Sequence, residues 1–129
     1  MKIQSGLGDF YLIPHDNWQK IVLVWLHKRT HRDVKMLKVN EYFDGNVKSI
    51  GFEQKGEKST VGVMNAGDYL FNTAAPERMT VIKGALTIQL ADEDEWHTYN
   101  QGESFLVAGH SSFKLEVKTP TAYLCEFLD

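Results

Sequence analysis

From Asn40 onward, apolar and polar residues alternate with a period of two. The alternation is clearest over residues 47–52, 59–64 and 67–73, and apolar-rich runs follow at 79–82, 85–90, 96–99, 104–107, 113–117 and 122–127. Successive side chains of an extended chain point to opposite faces, so this pattern predicts strands with one buried and one solvated face. Turn-forming residues separate the runs: Asp44-Gly45, Ala66-Gly67, Ala75-Pro76, Lys83-Gly84, Gln101-Gly102, Gly109 and Thr119-Pro120. No convincing helical stretch follows residue 36. Many short strands at this regular spacing predict an all-β domain over residues 36–129, a single barrel or jelly roll.

The first 35 residues read differently. Basic side chains outnumber acidic ones there, and "WLHKRTHRDVK" ends the segment next to Met36, whereas the rest of the chain is acidic. His15, His27 and His31 also fall in this part. An anion-binding arm or a metal tether is one reading. A basic leader beside an in-frame methionine reads more readily as a flexible tail or a non-native start.

Composition narrows the function classes. With 129 residues and a net charge of -3, the chain has the size of one domain and no overall positive field to hold nucleic acid. Cys125 is the one cysteine, so an intrachain disulfide is impossible and a reducing, cytoplasmic setting is expected. The longest apolar run, residues 21–26, is far shorter than the roughly 20 residues that span a bilayer, so neither a membrane anchor nor an export signal is expected.

The spacing around Glu77 carries the chemistry. Glu77 and Gly84 keep the end of the pattern G-x5-H-x-H-x3-E-x6-G, the first motif of metal-binding cupins, but Phe71 and Thr73 stand where its two histidines would be. The second motif, G-x5-P-x-G-x2-H-x3-N, is echoed from Gly102, with Ala108 in the proline slot and Phe113 in place of the third histidine. An imidazole-held metal needs several ring nitrogens, which these positions no longer offer. The expectation is a single cupin-type barrel with no metal. Tyr69, Phe71 and Thr73 share one strand face leading towards Glu77, and Phe113 would close the opposite wall, giving an aromatic pocket suited to a small planar ligand. Glu77 is either exposed at the turn after Pro76 or buried with partners, and burial would raise its pKa. His110 lies in "AGHSSF", where Gly109, Ser111 and the imidazole could form an oxyanion-binding turn; an ordinary solvent-facing turn is the competing reading. Lys48 is a weaker candidate for positive charge. Asp92-Glu93-Asp94-Glu95 reads as a solvated hairpin tip, and Cys125, within "AYLCEFL", as an inert core thiol.

The strings "NEYFDGNVKSIGF", "TVGVMNAGDYLFNTAAPERMTVIKGAL" and "TAYLCEFL" resemble the pyrimidine/purine nucleoside phosphorylase family of small cupins, over residues 36–129. The resemblance implies a metal-independent homodimer without an organic cofactor. It would use inorganic phosphate as co-substrate to split purine and pyrimidine ribonucleosides, reversibly, into free base and α-D-ribose 1-phosphate. Carried over by motif, "FNTAAPERMT" places Phe71, Thr73, Glu77, Met79 and Thr80 at the site, and "GHS" adds Gly109, His110 and Ser111. Glu77 and His110 are the candidate catalytic pair; Phe71, Thr73, Met79, Thr80, Gly109, Ser111, Phe113 and Lys48 are candidate substrate contacts. Two other readings stay open at this point: a metal-free sensor that binds a nucleoside or sugar without turning it over, and a metal cupin using Glu77, His97 and His110.

Overall fold

The computed structural model describes residues 37–129 and, as backbone alone, three strands before them: β1 (Lys2–Ser5), β2 (Gly8–Ile13) and β3 (Val22–Trp25). These pair antiparallel in the order β1-β2-β3. The alternation rule did not predict β2 and β3 because Phe10–Ile13 and Val22–Trp25 are continuous apolar runs, and β1, with Ile3 as its one apolar residue, has no period to read. The three leader histidines and the basic stretch at 26–35 lie outside the described residues. The chain divides into two units, Met1–Lys35 and Met36–Asp129.

The second unit is all-β. Its strands are β4 (Lys38–Tyr42), β5 (Val47–Gln54), β6 (Glu57–Met64), β7 (Gly67–Asn72), β8 (Glu77–Lys83), β9 (Ala85–Leu90), β10 (His97–Asn100), β11 (Ser104–Val107), β12 (Ser112–Val117) and β13 (Thr121–Phe127). Each run predicted from the sequence is a strand here, with ends moved by a few residues. β4 is an addition, an edge strand with most side chains exposed, so burial imposes no alternation on it. It joins β5 through Phe43, Asp44 and Gly45, all with positive φ, closed by Asn46 N–H donating to the Phe43 carbonyl at 3.1 Å.

Two antiparallel sheets result, ordered β10-β9-β12-β7 and β11-β8-β13-β6-β5-β4. From β6 onward the chain passes back and forth between them, the path of a jelly roll. Each sheet keeps two free edges, so the architecture is a two-sheet sandwich and the ring of strands is not closed by hydrogen bonds. The core comes from the inward faces of both sheets, with Val47, Met64, Val81, Leu86, Ile88 and Leu115 almost fully buried. Truncating a side chain such as Leu86 to alanine would cost about 2–5 kcal/mol.

The central position of β13 orders the inward face of the six-stranded sheet. It lies between β6 and β8, with Tyr123 opposite Gly62 and Val81, and Cys125 opposite Thr60 and Met79. β6 in turn sets Gly62 opposite Ser49 on β5. One inward row therefore runs Val81, Tyr123, Gly62, Ser49, and the next runs Met79, Cys125, Thr60.

Candidate functional site

A half-open cleft of about 290 Å³ lies between the inward faces of the two sheets. The four-stranded sheet and β4 give it an aromatic wall of Phe71, Phe113 and Tyr42. The Phe71 and Phe113 rings stack with centroids 5.9 Å apart, and Tyr42 meets Phe71 edge-on at 5.9 Å. The six-stranded sheet gives a polar wall: Glu77, Cys125, Tyr123, Thr60 and Ser49, with Met64, Met79 and Phe127 between them. Among the described residues, the lining holds one carboxylate and no lysine, arginine or histidine.

Glu77 opens β8 opposite Phe127. It is half-buried, and the loss of water around its carboxyl raises its pKa; a hydrogen bond from the Cys125 thiol works in the opposite direction. Cys125 is buried, and burial followed by the adjacent Glu77 carboxylate pushes its thiol far up, so it stays protonated and acts as a donor. The expectation of a core thiol holds for its burial, but the sulfur also lines the cleft. Tyr123 is pushed up to about 12, first by burial and then by Cys125, with a Ser49 hydrogen bond opposing and Tyr42 and Glu77 adding to the rise. Its ring lies over Gly62, where any added Cβ would stand 2.5 Å from the phenol oxygen and 2.7 Å from the Lys48 carbonyl. Only glycine leaves room for this packing.

Of the residues singled out from the sequence, the cleft brings together Glu77, Phe71, Met79 and Phe113. The others sit elsewhere. Thr73 is buried and laced into the turn before β12: its hydroxyl donates to the Ala108 carbonyl at 2.6 Å and accepts from Ser111 N–H at 3.0 Å. Ser111 also accepts from Thr73 N–H at 2.9 Å. Gly109 packs so close to the next turn that a Cβ there would lie 2.9 Å from the Ala74 carbonyl. His110 is exposed, has φ 49°, and donates its N–H to the Ala74 carbonyl at 3.1 Å. Because Ala74 lines the cleft, this turn borders the cleft rim. Thr80 points to the other face of β8 and meets Ser104 Oγ at 2.7 Å. Lys48 is on the outer face of β5, 3.5 Å from Glu41, with both side chains exposed.

Sequence reasoning passed over Tyr123, Thr60, Ser49 and Tyr42. Part of the signal was present, since Tyr123 and Cys125 alternate with Ala122 and Leu124 and so share an inward face. The facing of Ser49 and Thr60 depends on strand pairing, which no local pattern encodes. The trio Glu77, His97 and His110 is not assembled: His97 is on the edge strand β10, 3.7 Å from Glu93 and 3.9 Å from Glu95. Among the described residues, no group of three histidine, cysteine or acidic side chains is placed to hold a metal ion.

The family model for pyrimidine/purine nucleoside phosphorylase matches residues 37–127. A protein of that name from Aeromonas salmonicida is 92% identical over 94 residues, 73% of this chain and all of the relative. Another from Vibrio vulnificus is 62% identical over 93 residues, 72% of this chain and all of the relative. A crystal structure of a Vibrio parahaemolyticus protein of unknown function superposes with a TM-score of 0.71 at 57% identity, covering 73% of this chain and all of that one. The matched stretch contains both walls of the cleft, and on that match the chain belongs to the pyrimidine/purine nucleoside phosphorylase family.

Proposed function

We propose that this protein is a nucleoside phosphorylase that accepts both purine and pyrimidine ribonucleosides and works in this cleft. A phosphate oxygen attacks C1′ of the ribose, the C1′–N bond breaks, and the bonding electrons leave with the base, which takes up a proton. The products are free base and ribose 1-phosphate. The observation that carries the reading is the pairing of one half-buried carboxylate, Glu77, with a stacked aromatic wall across the same cleft.

As the C1′–N bond lengthens, the sugar gains oxocarbenium character, and a negative group fixed nearby lowers the barrier most when water is excluded. Glu77 supplies that group at the ribose. Cys125 holds its carboxyl in place. Phe71 and Phe113 receive the base through its ring face, which every purine and pyrimidine shares, so recognition is broad. Hydroxyls of the polar wall bind phosphate and ribose oxygens. His110, on the rim turn, delivers the proton to the departing base.

The reaction asks for no metal or organic cofactor in this reading, because the sugar cation and the phosphate are met by fixed side chains. The assembly expected with it is a homodimer in the cytoplasm. Support for a covering subunit comes from the outer face of the six-stranded sheet, where Val39, Ile50, Val61 and Val63 remain exposed. Among the described residues, no helix is long and apolar enough to cross a membrane. Base release from uridine and adenosine, measured with and without phosphate, tests the activity. A protein that binds nucleoside, with a rise in melting temperature, yet never consumes it would instead be a sensor.

A further inference from the structure

The row Asn40, Ser49, Gly62, Tyr123 crosses three neighbouring strand pairs on the inward face of the six-stranded sheet. Asn40 Nδ2 donates to Ser49 Oγ at 3.3 Å. Ser49 is buried, with 3% of its surface exposed, and hydrogen-bonds the Tyr123 phenol. A serine hydroxyl has one hydrogen. Ser49 Oγ accepts from Asn40 and can donate its one hydrogen to Tyr123 Oη, an arrangement in which the Tyr123 hydrogen is available to the cleft. Gly62, directly under the ring, lets the phenol lie along the sheet to reach Ser49. The phenol also lines the cleft beside Glu77.

From this row and the place of its phenol in the cleft wall we infer that Tyr123 is a substrate-contacting residue, donating its hydroxyl hydrogen into the cleft to an oxygen of the bound ligand. The ligand oxygen belongs to phosphate or to ribose, both of which accept such a bond, and the inference rests on the phosphorylase reading of the cleft. Tyr123 is suited to the task because its burial keeps it neutral across the working range, so the donor is never lost to ionisation. Asn40 is a positioning residue that acts through Ser49, which lines the same wall of the cleft as Tyr123.

Tyr123→Phe removes the hydroxyl and keeps the ring. Its kcat/KM is expected to fall about ten-fold, the loss of one hydrogen bond to substrate. The melting temperature should fall only as far as the loss of the Ser49 bond requires, with the fold retained. The deficit is expected to be constant from pH 6 to 9, because no ionisation of the phenol intervenes. A rise in KM for phosphate with KM for nucleoside unchanged assigns the bond to phosphate, and the reverse assigns it to ribose. Wild-type kcat/KM for both substrates in a folded Tyr123→Phe protein would overturn the inference. Gly62→Ala, which displaces the ring, should show the same deficit or more, and wild-type activity there would also contradict it. Should the wild-type protein release no base at all, the phosphorylase reading fails separately. The donor is then read by calorimetric titration of both proteins with uridine and with phosphate: weaker binding to Tyr123→Phe supports it, and equal binding or none to either protein overturns it.

Discussion

The Cys125 thiol on β13 donates to the Glu77 carboxyl on β8, across the strand pair that also sets Phe127 opposite Glu77. The cleft's one carboxylate thus has a neighbour that stays protonated. The coupling is mutual, because the Glu77 charge is among the causes that push the thiol up. Removing the charge in Glu77→Gln should therefore lower the Cys125 pKa and speed its alkylation by iodoacetamide at a fixed pH of about 8.5, an ordinary thiol pKa. An unchanged alkylation rate would mean that the two groups do not interact.

Glu77 also links function to stability. Its pKa is raised in the folded chain, chiefly by burial. A carboxyl of this kind binds its proton more tightly when folded, so its contribution to stability is fully present below the unfolded value of about 4.3 and is lost as pH rises through the folded pKa. At pH 7 the buried charge destabilises the fold. Glu77→Gln should consequently melt higher than wild type at pH 7, with the gap closing as pH falls towards about 4, while kcat drops at least about ten-fold through loss of the charge that faces the sugar cation. A melting gap independent of pH would exclude this origin.

Thr73 makes a different demand. Its hydroxyl joins Ala108 and Ser111, so it holds the rim turn and is not free for substrate. Thr73→Val leaves the Ala108 carbonyl and Ser111 N–H short of a partner, for an expected loss of about 1–3 kcal/mol by chemical denaturation. Thr73→Ser should recover most of it. Equal stability of all three proteins would place the hydroxyl elsewhere.

His110 combines two features that substitution can separate. Its φ of 49° falls in the left-handed region, which asparagine tolerates better than alanine. If the imidazole delivers a proton, His110→Asn and His110→Ala should both lose at least about ten-fold in kcat. Wild-type turnover in His110→Asn would leave the residue with a backbone role alone.

The residues under test differ in how far they were legible in the sequence. The second unit was readable because its strands bury one face and its turns fall on glycine, proline and aspartate, so period and punctuation agree. β4 escaped because an edge strand with exposed side chains carries no burial pattern. Glu77 and the Phe71–Phe113 wall were found through motif spacing, which is local. The polar wall was missed because Ser49, Thr60 and Tyr123 meet only through the pairings of β5 with β6 and β6 with β13. Lys48 and Thr80 sit one residue out of phase with the inward positions Ser49 and Met79. Thr80 came with the motif and Lys48 with its charge alone; the pleat turns both to the other face.

The measurement that bears most directly on the central claim is base release from uridine and adenosine by the purified protein, followed with and without inorganic phosphate. The expected result is release of uracil and adenine, each matched by an equal amount of ribose 1-phosphate and abolished when phosphate is omitted. No release from either nucleoside, or equal release without phosphate, would contradict it.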